Sequence, residues 1–283
     1  MLDVRDSLRC ERTLHEVPRG RLSETSDATG SSQPRTPRDV HRPGCHGAAH
    51  ARTFRTRDDG ASHRDEVPVS ASPGIGLAAL LTAAIMATNL WAVVRDRCDV
   101  ERITKPTAML ALLAVAALAG AGDTASGRWL LAALVFGLIG DVMLLGASSK
   151  RFVAGLSAFL VGHLFFVASF VTAGMERPGW GWFGLAVLSA SLAVGRGILP
   201  GARAAGGAPL TIAVAAYMLV IGAMAVSGWA TGLLLVGLGV SLFVVSDTVL
   251  ALGRFVEPRS WTRPVTMLTY HGAQALIVAG LLA

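Results

Sequence analysis

Cysteine is scarce and unpatterned in this 283-residue chain. Cys10, Cys45 and Cys98 stand apart, with no CxxC and no metal-ligand spacing, so no disulfide framework is expected. Histidine metal motifs are missing from the apolar region too. Neither HxxxH nor HExxH occurs there, the only HxxxH being His46–His50 in the polar N-terminal segment, which leads to the expectation of neither metal nor cofactor. Apolar and polar residues do not alternate over short segments, which argues against the strands of a membrane barrel. The first 70 residues lack the uninterrupted apolar core of a signal peptide. Tyrosine is confined to Tyr217 and Tyr270.

What the chain has in abundance is hydrophobicity, and it is unevenly spread. Mean hydropathy is +0.53 although the first 70 residues are almost entirely polar. Beyond them come eight apolar runs, at about 74–94, 107–122, 129–145, 153–173, 179–194, 209–226, 230–252 and 265–282. Each approaches the length needed to cross roughly 30 Å of hydrocarbon as a helix. With no water to satisfy the backbone there, helices are the expected form. The fold class is therefore all-α, a polytopic transmembrane bundle of about eight helices over residues 71–283. The second and fifth runs are short, and are expected to tilt or to be partly buried.

The net charge of +6 would suit a nucleic-acid partner if the arginines formed a patch. In the apolar region they lie instead in short connections between runs. Odd-numbered connections hold eleven Lys or Arg (including Lys105, Arg254, Arg259 and Arg263) and even-numbered ones two. By the positive-inside bias the odd connections face the cytoplasm of a multi-pass cell-membrane protein, with both termini outside. No nucleic-acid partner is expected. Trp180, Trp182, Trp229 and Trp261 lie at run ends and read as interface anchors.

Residues 1–70 carry twelve Arg, eleven Asp or Glu and five of the seven His, with few large apolar residues. Such a segment cannot bury a core and is expected to be disordered. So charged a tail sits badly with an exported N-terminus. The expectation is upstream sequence read from a mis-assigned start codon, with a regulatory tail as the other reading.

An ionisable group within a span costs at least a few kcal/mol, so the ones retained are informative. The runs keep Asp141, His163, Asp247 and His271. Each aspartate follows a small residue, Gly140 or Ser246, which permits close approach of a helix or a substrate. Each precedes an Arg-Phe pair (Arg151-Phe152, Arg254-Phe255), and then an intramembrane histidine 22 or 24 residues on. These units lie four runs apart, the pattern of two parallel four-helix repeats. Counting from run ends at about 1.5 Å per residue puts both aspartates, Tyr217, His163 and His271 within roughly 17 Å of one surface. One polar cavity on the odd-connection side would hold them. Lys105-Pro106-Thr107 opens the second run, where a helix N-terminus and a lysine suit phosphate and a snorkelling anchor is the alternative. Tyr270, His271 and Gln274 form a polar stripe on the last run.

Six ordered blocks carry a family resemblance: KPTAMLALL, LVFGLIGDVMLL, RFVAGLSAFLVGHLFFVASF, AAYMLVIGAM, LFVVSDTVLALGRF and MLTYHGAQALI. Together, over about residues 74–283, the chain resembles the YhhN family of lysoplasmalogenases. The resemblance implies an eight-helix fold and hydrolysis of the vinyl-ether bond of a lysophospholipid substrate taken from the membrane, releasing a fatty aldehyde and a glycerophospho-ethanolamine or -choline. It implies catalytic roles for Asp141 and Asp247, with Lys105, His163, Tyr217, Tyr270 and Gln274 supporting them. His271 departs from the bulkier residue of many relatives, and the charged tail has no counterpart. The chemistry is compatible. A vinyl ether hydrolyses by protonation of its outer alkene carbon and attack of water on the resulting oxocarbenium ion, so it needs an acid and a base. Two carboxyls sharing a low-dielectric site do not both ionise, and can divide these tasks.

Two rivals use the same residue types. An intramembrane aspartyl protease also has two membrane aspartates, but here no Tyr-Asp or Pro-Ala-Leu motif accompanies them. A proton-coupled transporter built on Asp and His relays is the stronger alternative. Aldehyde release in detergent, where no gradient exists, separates enzyme from transporter.

Overall fold

In the computed structural model, residues 73–146 and 148–283 are described. The expectations for residues 1–70, and for Cys10 and Cys45, lie outside them. The described residues form eight α-helices: α1 Pro73–Val94, α2 Cys98–Leu118, α3 Ala125–Leu144, α4 Ser149–Ala173, α5 Gly181–Val194, α6 Ile198–Ala230, α7 Leu234–Phe255 and α8 Thr262–Leu282. Six of them are long and apolar enough to cross a membrane. The exceptions are the two that the run lengths single out: α2, whose first turn is charged, and the 14-residue α5.

Large apolar side chains such as Leu219 and Trp182 point outward, about three-quarters exposed, while Asp141, His163 and Gln274 are buried. This inversion suits a bundle whose solvent is hydrocarbon. Helices pack as neighbours in the order α1, α2, α3, α4, α6, α7, α8, and α8 returns to α1, with α5 laid on α6 and α7. The α3–α4 and α7–α8 hairpins are the most closely packed pairs. Small residues allow it. A Cβ on Gly140 of α3 would sit 2.6 Å from the Phe159 ring of α4.

Several local readings need correction. Helix α2 begins at Cys98, well before residue 107, because Asp99 and Glu101 occupy its first turn where the helix dipole favours acidic groups. Pro106 therefore lies inside the helix, and Lys105 is neither at a free N-terminus nor in a connection. Helix α6 begins at Ile198 and breaks at Gly206 and Gly207 before continuing through Pro209. Gly207 has φ +66°, a left-handed backbone that glycine adopts without strain. The segment ahead of the break buries Ile198 and Ala202 against Phe255 at the end of α7. Arg151-Phe152 starts α4 whereas Arg254-Phe255 ends α7, so the two pairs are not equivalent in register. Trp229 is no anchor: its indole N–H donates to Ser241 Oγ at 3.0 Å and its ring packs on Trp180 and Phe183.

Candidate functional site

Asp141 lies one turn before the end of α3 and Asp247 two turns before the end of α7, each within a hairpin whose partner helix follows through a short turn. Fixed helical rise therefore keeps both within about 12 Å of the odd-numbered turns. Asp141 is 1% exposed. Lys105 Nζ stands 3.2 Å from its Oδ1, and the Tyr270 hydroxyl donates to its Oδ2 at 2.8 Å. Tyr217 donates to Asp247 Oδ2 at 2.5 Å. His163 Nε2 lies 3.8 Å from the same oxygen, beyond hydrogen-bond reach, with its ring edge-on to those of Tyr217 and Phe243.

The two carboxyl groups are thus held in matching ways. Asp141 on α3 is gripped from α2 and α8, and Asp247 on α7 is approached from α6 and α4. Each receives one tyrosine hydroxyl. They differ in charge environment, since a buried ammonium accompanies Asp141, and Asp247 has only an imidazole nearby.

Two cavities meet here. A cleft of about 310 Å³ is lined by Lys105, Asp141, Asp247 and Tyr270, with Arg254, Arg259 and Arg263 towards its mouth. Its lining draws on the end of α3, the end of α7 and the starts of α2, α4 and α8, so it opens on the side of the odd-numbered turns. The second cavity is narrower and apolar, and runs among α4, α5, α6 and α7 past Leu188, Ile221 and Val244. Leu144, Phe152, Phe159, Asp247 and Leu250 line both. Asp247 is therefore the carboxyl at the junction, and Asp141 faces the polar cleft alone.

The other residues singled out in the sequence divide. Lys105, Tyr217 and Tyr270 touch a carboxylate. Gln274 is fully buried beside Gly137, close to the Tyr270 hydroxyl, and its amide atoms have no hydrogen-bond partner among the described residues. His271 lines neither cavity. Its Nε2 meets Asn89 Oδ1 on α1 at 3.0 Å, and Asn89 Nδ2 donates to Thr104 on α2 at 2.9 Å. This polar clasp between α1, α2 and α8 escapes a search confined to ionisable groups. Including amides within the apolar runs would have found Asn89. Also unforeseen is Arg263, which reaches Glu101 at 2.6 Å and Asp96 at 3.2 Å and ties the start of α8 to the α1–α2 turn.

Comparison with known proteins places the geometry in context. The chain matches the YhhN family over residues 100–281. It is 33% identical over 154 residues to the Bos taurus protein named lysoplasmalogenase TMEM86A, a stretch covering 51% of this chain and 61% of that one. It is 32% identical over 180 residues to the Sus scrofa lysoplasmalogenase TMEM86B, covering 63% and 74% respectively. For the Mus musculus lysoplasmalogenase TMEM86B the identity is 31% over 203 residues, covering 71% and 84%. The matched stretch spans about three-fifths of the Bos taurus relative and of the Homo sapiens TMEM86A relative. No solved structure matches.

Proposed function

Because the chain belongs to the YhhN family, we propose that it is an intramembrane lysoplasmalogenase in which Asp141 and Asp247 divide acid and base work on the vinyl ether of a lysophospholipid. The observation that carries this reading is the position of Asp247, where an apolar cavity suited to an alkenyl chain opens into a polar, basic cleft suited to a phosphate head group. A lysolipid laid across that junction has its vinyl ether, the bond between chain and glycerol, beside the carboxyl.

The chemistry follows from the neighbours. Asp247, with no ammonium beside it, is the member that delivers a proton to the outer alkene carbon, on the chain side. Asp141 stays a carboxylate next to Lys105. It stabilises the oxocarbenium ion and takes a proton from the water that attacks the carbon next to the ether oxygen. The resulting hemiacetal gives up its hydroxyl proton, the carbon–oxygen bond to glycerol breaks, and the glycerol oxygen is protonated. One water is consumed, and aldehyde and glycerophospho-alcohol leave. Tyr217 and Tyr270 orient the two carboxyl groups.

The test is aldehyde release from a lysoplasmalogen by purified protein in detergent. Turnover is expected for the vinyl ether, and none for the saturated alkyl ether, which cannot form the cation by protonation. In D₂O the aldehyde should carry one deuterium on the carbon next to its carbonyl. No aldehyde would remove the hydrolase reading and leave gradient-driven transport as the rival.

The arginine distribution adds an orientation: the cleft opens to the cytoplasm. A reporter inserted near Glu257 is expected to behave as cytoplasmic and one fused after Ala283 as exported. The reverse result would place the mouth of the cleft on the outer face.

A further inference from the structure

The mechanism leaves the arginines of the cleft unused, and the cations there are not alike. Arg259 is spent on Glu257 at 2.7 Å, and Arg263 on Glu101 and Asp96. Lys105 is spent on Asp141. Arg254, in the last turn of α7, has no carboxylate partner among the described residues. Its guanidinium lies over the Phe152 ring, with Cζ 4.8 Å from the centroid. That ring is edge-on to Phe255 at 5.8 Å, and Phe152 is one of the side chains common to both cavities.

Position along the helix turns this into a measure of distance. Arg254 follows Asp247 by seven residues, nearly two full turns, so both side chains leave the same face of α7 about 10 Å apart along the axis. Both line the cleft, with Asp247 at its inner end and Arg254 towards its mouth. In a lysolipid the vinyl-ether oxygen and the phosphate are separated by the three-carbon glycerol unit, and a side chain as long as arginine closes the remaining gap. A planar guanidinium already fixed on an aromatic face loses less freedom on gripping a phosphate than a free lysine would.

On the lysoplasmalogenase reading, we infer that Arg254 binds the substrate phosphate and thereby sets the depth at which the chain-to-glycerol bond stops beside Asp247. Arg254 is then a binding residue that measures the substrate from its phosphate. The collar of Phe152 and Phe255 keeps the charged end out of the apolar cavity.

The test uses binding, so that it stands apart from turnover. Two saturated ethers of equal chain length are titrated into the full chain in detergent: an alkyl lysophosphoethanolamine and the corresponding alkylglycerol, which lacks the phosphate. The unmutated protein is expected to bind the phosphorylated ligand more tightly by on the order of 10- to 100-fold. Arg254→Gln should erase that preference while leaving alkylglycerol affinity unchanged, Arg254→Lys should retain part of it, and Arg259→Gln should keep it whole. Equal weakening of both ligands in Arg254→Gln would make Arg254 a structural anchor and overturn the inference. So would a preference that survives the substitution, or none in the unmutated protein. Alkylglycerol affinity itself reports whether the variant is folded. Failure to release aldehyde while the phosphate preference tracks Arg254 would sink the hydrolase reading and leave a lysolipid-binding site.

Discussion

Asp141→Asn and Asp247→Asn are each expected to lower aldehyde release by about 10² to 10⁴, the range for loss of a general acid or base. Asparagine keeps the shape of aspartate and still accepts a hydrogen bond from tyrosine, so Tyr270 and Tyr217 retain partners. Asp247→Asn should therefore insert, purify and melt much as the parent does, whereas Asp141→Asn, which leaves the buried Lys105 ammonium unpaired, should still insert but melt lower. The double variant should be little worse than either single one, because groups that act as a unit are not additive. The pH–rate profile of the parent should be bell-shaped, its limbs belonging to the pair and not to either residue. Near-parental turnover in both single variants would remove the mechanism. Loss of folding in both would make the aspartates structural.

Lys105→Met is expected to damage stability as well as turnover. The Lys105–Asp141 pair is almost wholly buried, and removing one member of such a pair leaves a charge without compensation, at a cost of about 3–5 kcal/mol. The informative comparison is the double substitution Lys105→Met with Asp141→Leu, which removes both charges and fills similar volume. Thermal unfolding in detergent should return towards the parental midpoint while aldehyde release stays at background. A Lys105→Met protein as stable as the parent would show that the pair contributes nothing to folding. Recovery of turnover in the double variant would show that it contributes nothing to chemistry.

The depth of the two aspartates could be read from the sequence because helical rise is constant and the turns are short. Counting from run ends puts them beside one surface, and they line one cleft there. The helix count was legible for the same reason: eight apolar runs correspond to eight helices among the described residues. Lys105 was harder. Its neighbours Asp99, Glu101 and Arg102 resemble a connection, and nothing local distinguishes an interfacial lysine from one turned inward against a carboxylate on the next helix, α3. His271 looked like part of the aspartate set because it shares their depth, but rotation about the helix axis directs it to Asn89. Depth follows from counting, whereas azimuth depends on which helices are neighbours, and the sequence does not state that. The second cavity was invisible for the same reason, since it is bounded by α4, α5, α6 and α7 together.

The matching grip on the two carboxyl groups has a consequence for how the protein is made. The chain enters the membrane from its N-terminal end, so the two aspartates arrive under different circumstances. When α3 leaves the translocation machinery, Tyr270 has not yet been synthesised, and among the groups that hold Asp141 only Lys105 on α2 is already present. Asp247 enters later, after both His163 and Tyr217. The first carboxyl thus enters with a cation already synthesised as its partner, whereas the second follows the tyrosine hydroxyl and the imidazole that flank it. The ammonium of Lys105 is in this sense a nascent-chain device as well as part of the finished site.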